Sequence, residues 1–435
     1  MKLLLIILFI LAFASLSFGQ TPSASLTPTQ SASPEKGRAK PFGFSLGKYR
    51  DKEQRNSQNK QESNEPVDVE SIRVTTDLVV NDVLVTDQNG KMISELNKDD
   101  FVVTEDGAPQ KIEVFSRGEN ASVPRSIVLI INSCTPNVPY LKKSIAAAKT
   151  LVDELSPQDK MAIVTVDVRL LVDFTENKTL LKKTLDSVEK KSLEMVIPGL
   201  GHFPGCGGSR EFEALLATLN EMFEEKNRQP IIIFQGDATE VTFLKPDKDA
   251  PYPLYDSIRE ISGLRFWEKG TSMSHLGFSD VKEAIERSRA TIYSVATGIR
   301  FLGFSKKERM TRGEISVENV WRSISLGLRV NPRIMAMFRY RPTKVLTEFF
   351  TEVLTAAQTA MLRIAELSGG NMGFIEKPED AETVYSTIFK LISNRYLIGY
   401  YPTNQVRDGK RREIKVEVRN HPEYVVTGRK AYFPQ

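Results

Sequence analysis

Two cysteines, Cys134 and Cys206, and three histidines, His202, His275 and His421, are all that the chain holds of these two reactive residue types. Their spacing assembles little chemistry. His202 stands four residues before Cys206 in Gly199-Leu-Gly-His-Phe-Pro-Gly-Cys206. One histidine and two cysteines are an incomplete ligand set for structural zinc, and so glycine-rich a stretch reads as a surface loop. No serine elbow, no phosphate-cradling glycine fingerprint after Ile127–Ile131 and no His-x-x-x-His pair occurs. The carboxylate pairs Asp153-Glu154 and Glu224-Glu225 fall where solvated helix faces are expected. The chain is therefore read as a non-enzyme, with a metal- or thiol-dependent enzyme as the remote alternative. An even cysteine pair invites one disulfide if the compartment is oxidising.

The N-terminus supplies that compartment. Met1-Lys2, the apolar run Leu3–Phe13 and the small residues up to Gly19 have the order of a signal peptide cleaved after Gly19. The run falls short of the ~20 apolar residues that span a bilayer, and no later stretch is longer. The reading is a secreted or periplasmic protein, not an integral membrane protein. Export argues against nucleic acid as a partner, and the net charge of +4 over 435 residues does not argue for it. Residues 20–66 are rich in Ser, Thr, Pro and charge and poor in large aliphatics, which predicts a disordered linker.

The elements that must position any site follow. Residues 67–118 read as strands and turns: Asp77–Thr86, a turn at Asp87-Gln-Asn-Gly90, Phe101–Thr104, a turn at Glu105–Pro109, and the alternating Lys111–Phe115. Residues 394–435 read alike, with Arg395–Tyr401, Glu413–Arg419, Tyr424–Thr427 and Arg429–Phe433. Neither end has enough strands to stand alone, so together they predict one β-sandwich. Between them, residues 123–393 alternate strands (127–131, 161–166, 170–174, 230–234, 291–295, 373–375) with helices (140–155, 180–188, 212–223, 281–289, 355–367, 381–393). The fold class is α/β: a Rossmann-like, doubly wound, mostly parallel sheet inserted in the sandwich.

In such sheets ligands sit at the carboxyl ends of the strands, which directs attention to the loops after Ile131 and Phe234 and before Phe212. Through Asn81–Phe115 (with Asp100-Phe101 and Glu105-Asp-Gly107), Ile127–Asp167, Gly207–Gly236 and Leu362–Phe433 (with Leu397-Ile-Gly-Tyr-Tyr-Pro402), the chain resembles the von Willebrand factor A family. It is most similar to the secreted, bacterial, Acidobacteria-type group whose A-like domains have β-rich flanks. The resemblance implies a metal-ion-dependent adhesion site: Asp-x-Ser-x-Ser after the first strand, a Thr from a second loop and an Asp after the fourth strand. Such hard oxygen donors suit Mg²⁺.

Carried over position by position, this chain has Asn132 for the Asp, Cys134 and Pro136 for the two Ser, Ser209 for the Thr and Gln235 for the last Asp, with Asp237 two residues on. The degenerate loop set is thus Asn132, Ser133, Cys134, Ser209, Gln235 and Asp237. Without carboxylates at the two Asp positions, Mg²⁺ or Mn²⁺ is expected to bind weakly or not at all. In the fold the resemblance implies, the loops carrying Cys134 and Cys206 converge, so a Cys134–Cys206 disulfide is expected to tie them in place of a metal.

Residues at about 300–352 have no counterpart in the resemblance and read as a basic insertion. Arg322, Arg329, Arg333, Arg339 and Arg341, interleaved with Trp321, Phe338 and Tyr340, make a candidate partner-binding patch, against the plainer reading of a solvated cover. The sequence as a whole predicts an exported protein-binding, adhesion-type module whose partner is another exported protein or an acidic surface polymer. The alternative is a structural or scaffolding component of an envelope or extracellular assembly.

Overall fold

The structure is a computed structural model that describes residues 38, 40–50, 78–117, 123–134, 137–194, 196–197, 201–202, 210–225, 227–245, 249, 275–325, 338–339 and 342–434. All lie within one compact unit, Glu35–Gln435. The residues read as a signal peptide, and most of those read as a linker, lie outside the described residues.

The first strands follow the expected alternation. β1 (Val79–Thr86) is followed after residues 87–100 by β2 (Phe101–Glu105), β3 (Ala108–Gln110) and β4 (Ile112–Arg117), the last three joined by tight links. Asp106 and Gly107, at φ 47° and 83°, form the two-residue link between β2 and β3, and such left-handed pairs match the twist of a hairpin. This puts a strand where the sequence reading had extended the turn to Pro109.

The central strands are β5 (Arg125–Ile131), β6 (Lys160–Thr165), β7 (Arg169–Thr175), β10 (Gln229–Gly236), β11 (Thr291–Thr297) and β12 (Met372–Ile375), in the order β12-β11-β10-β5-β6-β7. All neighbours are parallel except the edge strand β7. The short ribbon β8 (Val196–Ile197) and β9 (Gly201–His202) lies outside this sheet. Continuous apolar runs suit strands buried on both faces. Val128 and Ile130 point into one core and Ile127, Leu129 and Ile131 into the other.

The second of these cores is closed by α1 (Val138–Glu154), α2 (Lys178–Glu194) and α7 (Asp380–Ser393). The first is closed by α3 (Glu211–Glu221), α4 (Phe278–Arg287) and α6 (Thr343–Ser368). The mixed α/β architecture is therefore as expected, a layer of helices on each face of a mainly parallel sheet.

β13 (Tyr396–Tyr400), β14 (Arg412–Val418), β15 (Val425–Thr427) and β16 (Ala431–Tyr432) return to the first strands. They build two antiparallel sheets, β15-β1-β13-β4 and β16-β14-β2-β3. Val83, Phe101, Val103, Tyr396, Ile398 and Ile414 fill a shared core between them. Each sheet mixes strands from both chain ends, as the patterns predicted.

Two sequence expectations need correction. Residues 40–50, placed in the disordered linker, are packed: Phe42, Leu46 and Tyr49 are buried in the first core, and Phe44–Leu46 forms a 3-10 helix. The average polarity of 20–66 masked this local group of apolar side chains. The region at about 300–352, read as a basic insertion, carries helices. It holds α5 (Lys306–Ser325) and the first turns of α6, which begins at Thr343 rather than near 355. Leu346, Phe349 and Val353 bury at helical spacing. The two helices approach closely at Gly313, where an added Cβ would meet Thr351 Oγ1 at 2.1 Å.

The sandwich is fastened to the α/β body by buried charge. Arg395 donates to the Tyr293 hydroxyl (3.1 Å) and to the carbonyls of Asp82 (2.8 Å), Thr427 (3.2 Å) and Gly369. The Asp82 carboxylate accepts from the Gln229 amide and lies 3.9 Å from Arg395 Nε. Burial raises the Asp82 pKa, and the Arg395 charge opposes that rise.

Candidate functional site: the carboxyl end of the central sheet

Parallel pairing of β5 with β10 brings Ile131 beside Gln235, and the Asn132 N–H extends the ladder to the Gln235 carbonyl at 3.1 Å. The loops after both strands therefore leave the sheet together. Asn132 is almost wholly buried. Its side-chain oxygen accepts the Cys134 N–H at 2.8 Å and its nitrogen donates to Glu211 Oε1 at 2.6 Å. The same Oε1 accepts the Asp237 N–H at 3.1 Å. Glu211, the first residue of α3, thus holds both loops.

The fit there is tight. A Cβ on Gly236 would lie 1.9 Å from Glu211 Oε1, so the carboxyl occupies the space that any other residue at 236 would fill. Glu211 has no exposed surface, and among the described residues its Oε2 has no hydrogen-bond partner. Burial pushes its pKa well above the carboxylate range, and the Asp237 charge adds to this against the Asn132 hydrogen bond. Glu240, also buried, accepts the Phe212 N–H at 2.9 Å and has its pKa pushed up to about 8, mainly by burial. Two acids at one helix start would ordinarily ionise readily beside the helix dipole. Here desolvation dominates.

Asp237 is half-buried. Its carboxylate accepts from Thr239 N (3.0 Å), Thr239 Oγ1 (2.7 Å) and Asn137 Nδ2 (2.8 Å). Asn137 in turn accepts the Thr297 hydroxyl, which links β11 to the cluster. Ser133 is half-buried between Asn132 and the buried Cys134.

Of the residues singled out from sequence, Asn132, Ser133, Cys134 and Asp237 come together at this end of the sheet. Gln235 does not join them through its side chain. Its amide donates to Ser144 (3.1 Å) and accepts from Tyr385 (2.5 Å), in the layer of α1 and α7. An even–odd reversal along β10 sends it to that face. Ser209 and Cys206 lie outside the described residues. Among the described residues no cysteine is a free thiol. Sequence reasoning missed Glu211, Glu240, Asn137 and Thr297, because it matched positions to a pattern that does not contain them. The acids opening a helix after Gly207-Gly-Ser-Arg210 were the available signal for Glu211.

Among the described residues, the donors at this place are not arranged around a divalent ion. Asn132 turns its nitrogen, not its oxygen, toward Glu211, and the Asp237 oxygens already accept from Thr239 and Asn137. Among the described residues no group of three or more His, Cys, Asp or Glu is arranged to hold a metal.

The basic residues are only partly a surface patch. Arg322 is exposed and pairs along its helix with Glu318 at 3.2 Å, and Arg339 is exposed. Arg312 turns inward, to Glu376 at 2.9 Å and over the Phe304 ring at 3.8 Å. Arg329, Arg333 and Arg341 lie outside the described residues.

No protein-family model matches the chain, and no curated protein matches it. Solved structures do. Proximal thread matrix protein 1 from the mussel byssus is 11% identical at a TM-score of 0.32, covering 63% of this chain and 49% of its own. This chain thus spans about half the length of the mussel protein. The conserved hypothetical protein BatB from Bacteroides thetaiotaomicron is 13% identical at 0.30, covering 62% and 98%. The vWF domain of the type V pili tip protein Mfa5 from Porphyromonas gingivalis is 13% identical at 0.35, covering 62% and 96%. These likenesses are loose, and the fold described above rests on strand order and helix placement. Among the described residues no helix is long and apolar enough to cross a membrane.

Proposed function

We propose that the protein is an exported, non-enzymatic protein-binding module of the von Willebrand factor A kind, whose ligand loops are held by a buried carboxyl instead of a metal ion. The observation that carries this reading is Glu211. Its Oε1 takes donors from both loops, Asn132 on one and Asp237 on the other, at the strand ends where such sheets bind ligands. Ser133 and Asp237 remain partly exposed there to meet a partner. Export rests on the Met1–Gly19 pattern. A Cys134–Cys206 disulfide would add a covalent tie between the first loop and the segment before α3.

A photo-reactive residue at position 133 tests this on secreted material, with Lys98, in the sandwich, as the control position. A discrete adduct to one exported protein, specific to position 133 and unchanged by chelator, is the expected result. Adducts that need Mg²⁺, or that form equally from position 98, would remove the reading.

The alternative, a structural component of an envelope or extracellular assembly, draws on β4. This six-residue strand pairs with β13 on one side and, among the described residues, forms the outer edge of its sheet. An open edge of that length is a place where a partner strand can add.

A further inference from the structure

The packed segment at residues 38–50 touches the α/β body in a manner that resembles a bound peptide more than a connecting stretch. Glu221, the last residue of α3, is buried, and its carboxylate accepts Gly43 N (2.9 Å), Ser45 N (3.0 Å) and Ser45 Oγ (2.5 Å). Among the described residues, those are the donors the carboxylate has. Arg38 clasps the same helix end, donating to the Glu221 carbonyl (2.9 Å) and to Asp173 (3.1 Å). Lys48 donates to Asn220 at 2.8 Å, and Asn220 reaches the Tyr49 hydroxyl at 3.3 Å. Phe42, Leu46 and Tyr49 fill the apolar floor. Gly43 sits at φ 90°, and its backbone passes so near Val168 that a Cβ would lie 3.0 Å from that side chain. A carboxylate anchor, an apolar floor and a close backbone approach make a built receptor for a short peptide.

Chain connectivity does little to dictate which copy fills it. The next described residue after Arg50 is Leu78, and residues 51–77 have a contour of about 90 Å when extended. The partners of the segment lie 120 or more positions further along the chain. Exchange of an identical element between copies is a low-cost route to association, and its strength is governed by effective concentration.

We propose that the Glu221 groove, filled here by the chain's own segment Pro41–Tyr49, is a docking site for the same segment of a second copy, so that exchange of this segment links molecules. The inference is independent of the loop cluster and of any ligand bound there.

Complementary full-chain variants test it. Ser45→Asp places a second carboxylate against Glu221 and spoils the segment but not the groove. Glu221→Lys spoils the groove but not the segment. Each variant alone is expected to be monomeric by light scattering, and an equimolar mixture to give a 1:1 heterodimer. A labelled synthetic peptide of residues 40–50 is expected to bind the Ser45→Asp chain at least tenfold more tightly than wild type and not to bind the Glu221→Lys chain. The peptide arm needs only one folded variant, confirmed by its melting curve. A mixture that stays monomeric overturns exchange between copies, and a Ser45→Asp chain that ignores the peptide overturns the docking site itself.

Discussion

The side-chain nitrogen of Asn132 stands 2.6 Å from Glu211 Oε1, while Oε2 of the same carboxyl is buried without a partner among the described residues. An uncharged carboxyl satisfies this arrangement better than a carboxylate, because the lone oxygen can then carry the proton instead of an unsolvated charge.

Stability should therefore fall as pH rises. Glu211 and Glu240 both have folded-state pKa values raised above their unfolded value of about 4.3. Their contribution is fully present below that value and is lost as pH rises through the folded-state value, about 8 for Glu240. The charges facing them are Asp237, Glu213 and Arg210. Chemical denaturation from pH 5 to 9 should show this decline, and Glu240→Gln should flatten it. A stability that rises across this range would contradict the protonated state.

Gly236→Ala must displace the Glu211 carboxyl, since the added Cβ would lie 1.9 Å from its oxygen. The cost should be about 2–4 kcal/mol, typical of overpacking and a broken buried network together. Combined with Glu211→Ala, the substitution should cost clearly less than the sum of the two alone. Additive effects in this cycle would mean that the contact is not made.

Cys134→Ser should lower stability by about 2–5 kcal/mol, the usual effect of removing a disulfide that closes a long loop. Reductant should lower the melting temperature of wild type and leave the variant unchanged. Peptide mapping of non-reduced protein should recover Cys134 joined to Cys206.

Arg395→Met removes one partner of a buried charge pair and leaves Asp82 without its cation. A loss of about 3–5 kcal/mol is expected. Adding Asp82→Asn should recover part of it, read by urea denaturation of the single and double variants.

Melting curves in chelator and in millimolar Mg²⁺ or Mn²⁺ should coincide. A saturable rise in melting temperature would show that a cation binds the native state.

Period-two and continuous apolar patterns made the architecture legible. Val79–Thr86 and Glu413–Val418 announced half-buried strands, and Ile127–Ile131 a strand covered on both faces. The site was legible only at Asn132, Ser133, Cys134 and Asp237, which lie next to strand ends in the sequence. Glu211 was not, because its role depends on the absence of a side chain at Gly236, 25 positions away. Gln235 was misplaced because one position along a strand exchanges the two faces of the sheet. Residues 40–50 were missed because three buried side chains do not shift the average of a polar stretch.

The position of β13 has a consequence for biogenesis. It lies between β1 and β4, with Val79 opposite Tyr400 on one side and Arg117 opposite Tyr396 on the other. The first-made strands β1 and β4 therefore cannot be joined into one sheet until β13, near the end of the chain, has been made. Until then the edges of β1 and β4 that pair with β13 have no partner strand from the C-terminal segment. A nascent chain stalled before residue 396 would carry these edges into the crowd around it.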